Sequence, residues 1–244
     1  MTGPVVAVFR PDDDRLRDAV SLLGSLECEP VADAMLAVEP TGTHPRTDAE
    51  FTVLTSKTGV ELVDEGDWVP TGELCAIGAS TADALREHGY GVDVVPETYS
   101  SSGLVEALRD DIVGARVEVA RSDHGSDVLL DGLRDAGAYV HETVLYRLTR
   151  PVGAGESCER AARGDLDGAL FSSSLTVEHF VEAATDRGIR AAALAGLNEA
   201  VVGAIGRPTA DRAAELGVEA DVVPDEADFE TLARAVVTRI RERD

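Results

Sequence analysis

The chain has 244 residues, enough for one large domain or two smaller ones, and sets 46 Asp and Glu against 22 Lys and Arg for a formal net charge of −24. Phosphate recognition rests on clustered Lys and Arg, and Lys57 is the single lysine, so nucleic acid is not expected as a partner. Acid excess with almost no lysine looks like the surface of a halophile's cytosolic protein, where strong hydration resists salting out; an acidic mesophile protein is the alternative.

The N-terminal Met1-Thr2-Gly3-Pro4 has no basic region. No apolar run approaches the roughly 20 residues of a membrane span, and a soluble, cytoplasmic protein is expected. Val5 to Phe9 is a short apolar run, followed by Arg10-Pro11-Asp12-Asp13-Asp14 and then by Leu16, Val20 and Leu23 at helical spacing. The pattern predicts a strand, an acidic helix start that suits the helix dipole, and a helix closed by Gly24 and the Glu29-Pro30 step. A second apolar segment runs to Val38. The same strand-turn-helix-strand plan returns as Val117 to Ala120, Arg121-Ser122-Asp123, Val128 to Leu133 and Tyr139 to Tyr146.

Between and after these lie two copies of another unit. Ile77-Gly78-Ala79-Ser80-Thr81-Ala82 recurs as Ile205-Gly206-Arg207-Pro208-Thr209-Ala210, an offset of 128, and Asp93-Val94-Val95-Pro96 falls on Asp221-Val222-Val223-Pro224 at the same offset. Upstream, Leu54-Thr55-Ser56 matches Phe171-Ser172-Ser173 at an offset of 117, so the later copy carries 11 extra residues before its Ile-Gly motif. The chain therefore alternates two unit types, which pair either contiguously or with the middle two nested inside the outer two. Glu39 to Pro45 and Arg150 to Gly155 are the polar, turn-rich candidates for crossings. Strands alternating with helices predict an α/β fold, with parallel, doubly wound, flavodoxin-like sheets and a cleft between two domains.

Several strands end in Ser, Thr or Gly where a helix begins: Thr55-Ser56, Gly78 to Thr81, Ser172 to Ser174 and Gly206 to Thr209. Helix N-termini at the carboxyl ends of parallel strands favour carboxylate or phosphate, although Ser and Thr at such places also serve as plain caps. Gly153-Ala154-Gly155 lacks a third glycine and reads as linker rather than helix start, so it is not a dinucleotide fingerprint. Cys28, Cys75 and Cys158 and the five histidines show no metal-ligand spacing, so neither a metal nor a cofactor is expected. Ser172 to Ser174 with His179 lacks a nucleophile elbow. Tyr146 ends an apolar strand just before Arg147, where a phenol could face a cleft or simply pack. Arg10 and Arg121 follow equivalent strands and are the basic candidates.

The segments Val5 to Pro11, Thr55-Ser56, Ile77-Gly78-x-x-Thr81-Ala82, Pro96 with Ser102-Gly103-Leu104-Val105, Val144-Leu145-Tyr146, Phe171-Ser172-Ser173 and Ile205-Gly206-x-x-Thr209-Ala210 together resemble the uroporphyrinogen-III synthase family. That resemblance implies nested domains, residues 1–38 with 149–244 and residues 39–148, joined by a two-stranded connector. It implies a cofactor-free reaction in which linear hydroxymethylbilane loses water, inverts its terminal pyrrole ring and closes. It marks Tyr146 as the catalytic tyrosine and Arg10, Thr55, Ser56, Thr81, Ser102, Gly103, Arg121, Ser172, Ser173 and Thr209 as substrate-binding. Arg207 and Ser122-Asp123 depart from the family pattern. The expected partner is the small-molecule bilane, with room for a neighbouring enzyme of tetrapyrrole synthesis, and the expected state is a monomer. A tetrapyrrole- or small-anion-binding regulator without turnover is the alternative.

Overall fold

The computed structural model describes residues 3–243; Met1, Thr2 and Asp244 lie outside the described residues. In chain order the elements are β1 (Val5–Phe9), α1 (Asp14–Ser25), β2 (Glu29–Ala32), β3 (Ala37–Pro40), β4 (Phe51–Leu54), α2 (Lys57–Glu65), β5 (Glu73–Ala76), α3 (Ala79–Glu87), α4 (Ser101–Leu108) and β6 (Arg116–Ser122). There follow α5 (Asp127–Asp135), β7 (Tyr139–Thr149), α6 (Glu156–Arg163), β8 (Gly168–Phe171), α7 (Ser174–Asp186), α8 (Arg190–Glu199), β9 (Val201–Ala204), α9 (Arg207–Leu216) and α10 (Phe229–Arg243). Contacts divide the chain into two units, Met1–Ala37 with Thr149–Asp244 and Val38–Leu148.

The first unit is built on a sheet of order β2-β1-β8-β9 with parallel pairing throughout. Its inner strands are apolar on both faces because both are covered. Val6 and Val8 pack with α1 and α10, while Ala7 and Phe9 face α6, α7, α8 and α9. The second unit has the order β3-β7-β6-β4-β5, parallel from β7 to β5. One face carries α4 and α5 against Val53, Val117 and Val119; the other carries α2, α3 and Trp68 against Leu54, Leu74 and Ala120.

The repeat is visible in individual hydrogen bonds. Asp93 accepts from the Leu74 N–H at 2.8 Å, and Asp221, at the 128-residue offset, accepts from Val202 N–H at 2.9 Å. Beside them, Val94 bridges to Cys75 and Val222 to Gly203 in the same parallel sense. The 11 extra residues of the later copy supply α8, which stands between α7 and β9 where the earlier copy passes directly from α2 to β5. Its Gly196 lies so close to α6 that an added Cβ would meet the Ala161 carbonyl oxygen at 1.8 Å.

Three local expectations are corrected. The first helix runs through Gly24 to Ser25, and Pro30 does not close it but sits inside β2. That strand is an edge of its sheet, where a missing N–H leaves no ladder bond unmade. The apolar segment ending at Val38 is two strands, β2 and β3, which belong to different sheets. Gly155 does open a helix: it caps α6 with φ 111°, a left-handed conformation that glycine adopts without steric cost. The change of unit falls within β3 and at the end of β7, which neighbour each other in one sheet. No helix among the described residues is long and apolar enough to cross a membrane.

Candidate functional site

Within the second unit, β6 and β4 lie side by side, with β7 outside one and β5 outside the other. Chain order reverses direction there, and ligands of open α/β sheets bind beyond the carboxyl ends of strands at such a point. A cavity of about 260 Å³ occupies that place, lined by Thr55 and Ser56 after β4, Ile77 after β5, Ser101 at the start of α4, Arg121 and Ser122 at the end of β6, Gly125 and Ser126 after it, and Tyr146. Its polar groups are mostly hydroxyls and backbone.

Tyr146 is 6 % exposed, its ring held among Leu54, Val60 and Leu145, and its phenolic oxygen lies 2.9 Å from Ser56 Oγ. Ser56 is also the N-cap of α2, accepting the Gly59 N–H at 2.9 Å. Arg121 is 4 % exposed and is already engaged: Nε donates to Glu142 at 2.6 Å and Nη1 to the Ser126 carbonyl at 2.6 Å. It thereby braces the loop after β6, and only Nη2, 3.7 Å from Asp127, is loosely held. This narrows the expected role, because a guanidinium spent on internal acceptors has little left for a ligand.

The other expected residues fall into three groups. Ser102 is exposed and outside the cavity lining, and the Gly103 N–H is taken by the Ser100 cap at 3.0 Å; Ser101 lines the cavity instead. Thr81 and Thr209 are buried in the first turns of α3 and α9, whose N-caps, Gly78 and Gly206, provide no side-chain hydrogen bond. The α3 start therefore keeps unfilled N–H groups among the described residues, whereas at α9 Pro208 has no N–H and the Thr209 N–H is held by the Gly206 carbonyl at 3.1 Å. Ser56, Ser100 and Ser173 act as caps, Ser173 within a capping box with Thr176. In the first unit, Ser172 donates to the Phe9 carbonyl at 2.7 Å, tying β8 to β1.

Arg10 follows β1 of the first unit. Its guanidinium stacks 4.3 Å over the Phe229 ring, and its buried Nε has no hydrogen-bond partner. Burial, then the neighbouring Arg15, holds it below its ordinary pKa against the opposing pull of Asp13 and Asp18, as expected of a cation short of counter-charge. Arg207, exposed at the first residue of α9, has no ion pair among the described residues, although a cation there opposes the helix dipole. Sequence reasoning passed over Glu142, Ser101 and Ser126; Glu142 was detectable only through strand register. His179 is turned away from Ser172 and Ser173, with Nδ1 2.5 Å from the Met35 carbonyl. The α6 N-terminus opened by Gly155 is filled internally by the Asp33 carboxylate, which accepts from Gly155 and Ser157 N–H at 2.9 Å each.

A larger cavity of about 660 Å³ lies at the amino ends of the same sheet's strands. Its charges are satisfied locally, Arg116 by Glu50 and the buried Glu118 by His141 at 2.7 Å. It lacks the helix N-termini that mark the carboxyl ends.

Parallel α/β units with hydroxyls, a phenol and helix N-termini at the strand carboxyl ends define a protein of flavodoxin-like fold. Residues 18–234 match the family described as "Uroporphyrinogen-III synthase HemD". A relative from Methanothermobacter thermautotrophicus, bearing a provisional uroporphyrinogen-III synthase name, is 33 % identical over 69 % of this chain and 67 % of its own. Among solved structures, a mutant uroporphyrinogen III synthase from Thermus thermophilus is similar with a TM-score of 0.67 at 20 % identity, covering 99 % of this chain and 100 % of that one. The Helicobacter pylori uroporphyrinogen-III synthetase gives 0.65 at 14 % identity, over 97 % and 99 %. The chain belongs to the uroporphyrinogen-III synthase family, lyases of tetrapyrrole synthesis.

Proposed function

We propose that this chain converts hydroxymethylbilane to uroporphyrinogen III, and that Tyr146 serves the departing hydroxyl. The observation that carries the reading is the Tyr146 phenol, lodged with Ser56, Ser101 and the Arg121 loop in one cavity at the switch point of the second unit. In the reaction the hydroxymethyl C–O bond breaks and its oxygen leaves as water with the phenolic proton, the electrons coming from the adjacent pyrrole nitrogen. The proton that the pyrrole releases on ring closure restores the phenol, so one water is lost overall. The bilane's carboxylates are assigned to Arg10, Arg207 and the open helix start at Gly78; Thr81 and Thr209 shape the first turns of α3 and α9. Thr55, Ser172 and Ser173 border the strand ends without a free charge to offer. An unguided bilane closes without inversion, so holding the terminal ring is most of the task.

The same reading takes residues 1–38 with 149–244 as one domain and 39–148 as the other, supported by β1 sharing its sheet with β8 and β9. It has the enzyme act as a cytoplasmic monomer. Purified protein supplied with freshly generated hydroxymethylbilane, followed by separation of the isomers, tests the activity: the III isomer should form ahead of spontaneous closure. Only the I isomer at the uncatalysed rate would refute it, and tight product binding without turnover would favour the regulatory alternative.

A further inference from the structure

We infer that Ser56 is a positioning residue that acts through Tyr146 rather than on the bilane's carboxylates, an inference that rests on the catalytic reading of Tyr146 above. The Ser56 hydroxyl has one donor and two acceptor sites. One acceptor site is held by the Gly59 N–H at 2.9 Å, which fixes Oγ at the first turn of α2. The phenolic oxygen 2.9 Å away is its other neighbour, and Ser56 is the only hydrogen-bond partner of that phenol among the described residues.

Two arrangements satisfy this distance. With Tyr146 as donor, its proton is directed at Ser56 and withheld from the cavity. With Ser56 as donor, the Tyr146 O–H is left free to point into the cavity that both residues line. The Gly59 N–H drives the second arrangement, because a hydroxyl that accepts a hydrogen bond becomes a better donor. The Ser56 O–H then remains on the oxygen as the phenol gives up its proton and negative charge develops. Such a bond is stronger in the transition state than in the ground state, so it acts on kcat rather than on binding. Ser173, at the matching place in the first unit, closes a capping box with Thr176 and has no phenol partner, so capping alone does not require this geometry.

The test is a double-mutant cycle of Ser56→Gly and Tyr146→Phe, read as kcat and KM for hydroxymethylbilane. Glycine is a tolerable N-cap, so α2 is retained when the hydroxyl goes; Ser56→Thr restores a hydroxyl at the same place. Ser56→Gly should lower kcat by about tenfold with KM nearly unchanged, the size of one lost hydrogen bond. Ser56→Thr should recover most of it. In the Tyr146→Phe background, Ser56→Gly should have no further effect on kcat. Independent, multiplying losses in the cycle, or a rise in KM alone, would overturn the inference and leave the Tyr146 assignment standing. A parental rate for Tyr146→Phe by itself would overturn both.

Discussion

Arg10 and Arg121 occupy the same place in two copies of one frame, yet they are used oppositely. Register shows the equivalence: Phe9 pairs with Phe171 across β1 and β8, Ala120 pairs with Leu54 across β6 and β4, and Leu54 and Phe171 correspond in the repeat. One strand further out, Val8 pairs with Ala32, whereas the matching Val119 pairs with Glu142. Arg121 thus has an acid beside it and is braced; Arg10 has an alanine in that place and keeps an unpartnered Nε. Three residues on, Pro11 bridges to Leu36 while Ser122 pairs with Tyr146, so the first unit has a leucine where the second has its phenol. The backbone frame, including the Asp93 and Asp221 hydrogen bonds, is kept, and the strand ends have diverged. Parallel sheets hold their geometry through strand neighbours, which leaves residues beyond the carboxyl ends free to specialise.

If the phenol is what separates the units, Tyr146→Phe should have the largest effect, lowering kcat by about 10² to 10⁴ as for a positioned proton donor. The ring stays packed and only the bond to Ser56 is lost, so stability should fall by about 1 kcal/mol or less. Steady-state kinetics with a urea melt reads both. A parental rate would make Tyr146 as inert as Leu36.

The other feature that separates the units is α8. Gly196→Ala places a Cβ 1.8 Å from the Ala161 carbonyl oxygen, a backbone atom of α6 that cannot yield cheaply. Destabilisation of about 1–3 kcal/mol or more is expected by urea unfolding. Gly24→Ala, in α1 with nothing within 4 Å, should instead stabilise by about 0.5–1 kcal/mol. Equal effects would mean that α8 is not closely seated on α6.

The two arginines should separate by readout. Arg121→Gln leaves Glu142 and the Ser126 carbonyl without their charged donor and should cost about 1.5–3 kcal/mol of stability. Arg10→Gln removes a cation stacked on Phe229, worth about 0.5–1 kcal/mol, and should act mainly by raising KM, by about tenfold for one lost carboxylate contact. If Arg121→Gln raised KM without loss of stability, the braced arginine would be the ligand contact after all.

Why the sequence disclosed the frame more readily than the site follows from the range of the forces involved. Strand runs such as Leu74 to Ile77 and helix starts such as Gly206 to Thr209 are local, repeat at a fixed offset, and are legible without any contact. The brace on Arg121 depends on Glu142, 21 residues away and brought alongside only by the β6/β7 register, which slips by a residue between Arg121 and Ser122. Likewise Tyr146 and Ser56, 90 residues apart, meet only once β4 and β7 flank β6. Ser100, Ser101 and Ser102 are chemically alike in sequence; the cap at Ser100 brings Ser101 to the cavity and leaves Ser102 exposed. Pro30 and Gly155 are strong punctuators whose meaning changed with context, an edge strand for one and a left-handed cap for the other.

The smallest contrast lies in the thiols. Cys75 of the second unit and Cys158 of the first are free and buried, and each is pushed up to about 12, chiefly by burial and then by a nearby acid, Glu73 for one and Asp33 for the other. A raised folded-state pKa keeps the native thiol protonated where the unfolded one ionises. The stability it contributes is therefore whole below the ordinary value of 9.0 and is lost as pH rises from there towards 12. Neither thiol should react with a disulfide reagent at pH 8 until urea opens its unit. At pH 10 each should lower stability by about 1 kcal/mol, seen as an earlier urea midpoint that alanine at the same position does not show. Because the two sit in different units, the order in which they become reactive reports which unit opens first. Simultaneous exposure would mean that the units unfold together, and rapid labelling of either in native protein at pH 8 would contradict its burial.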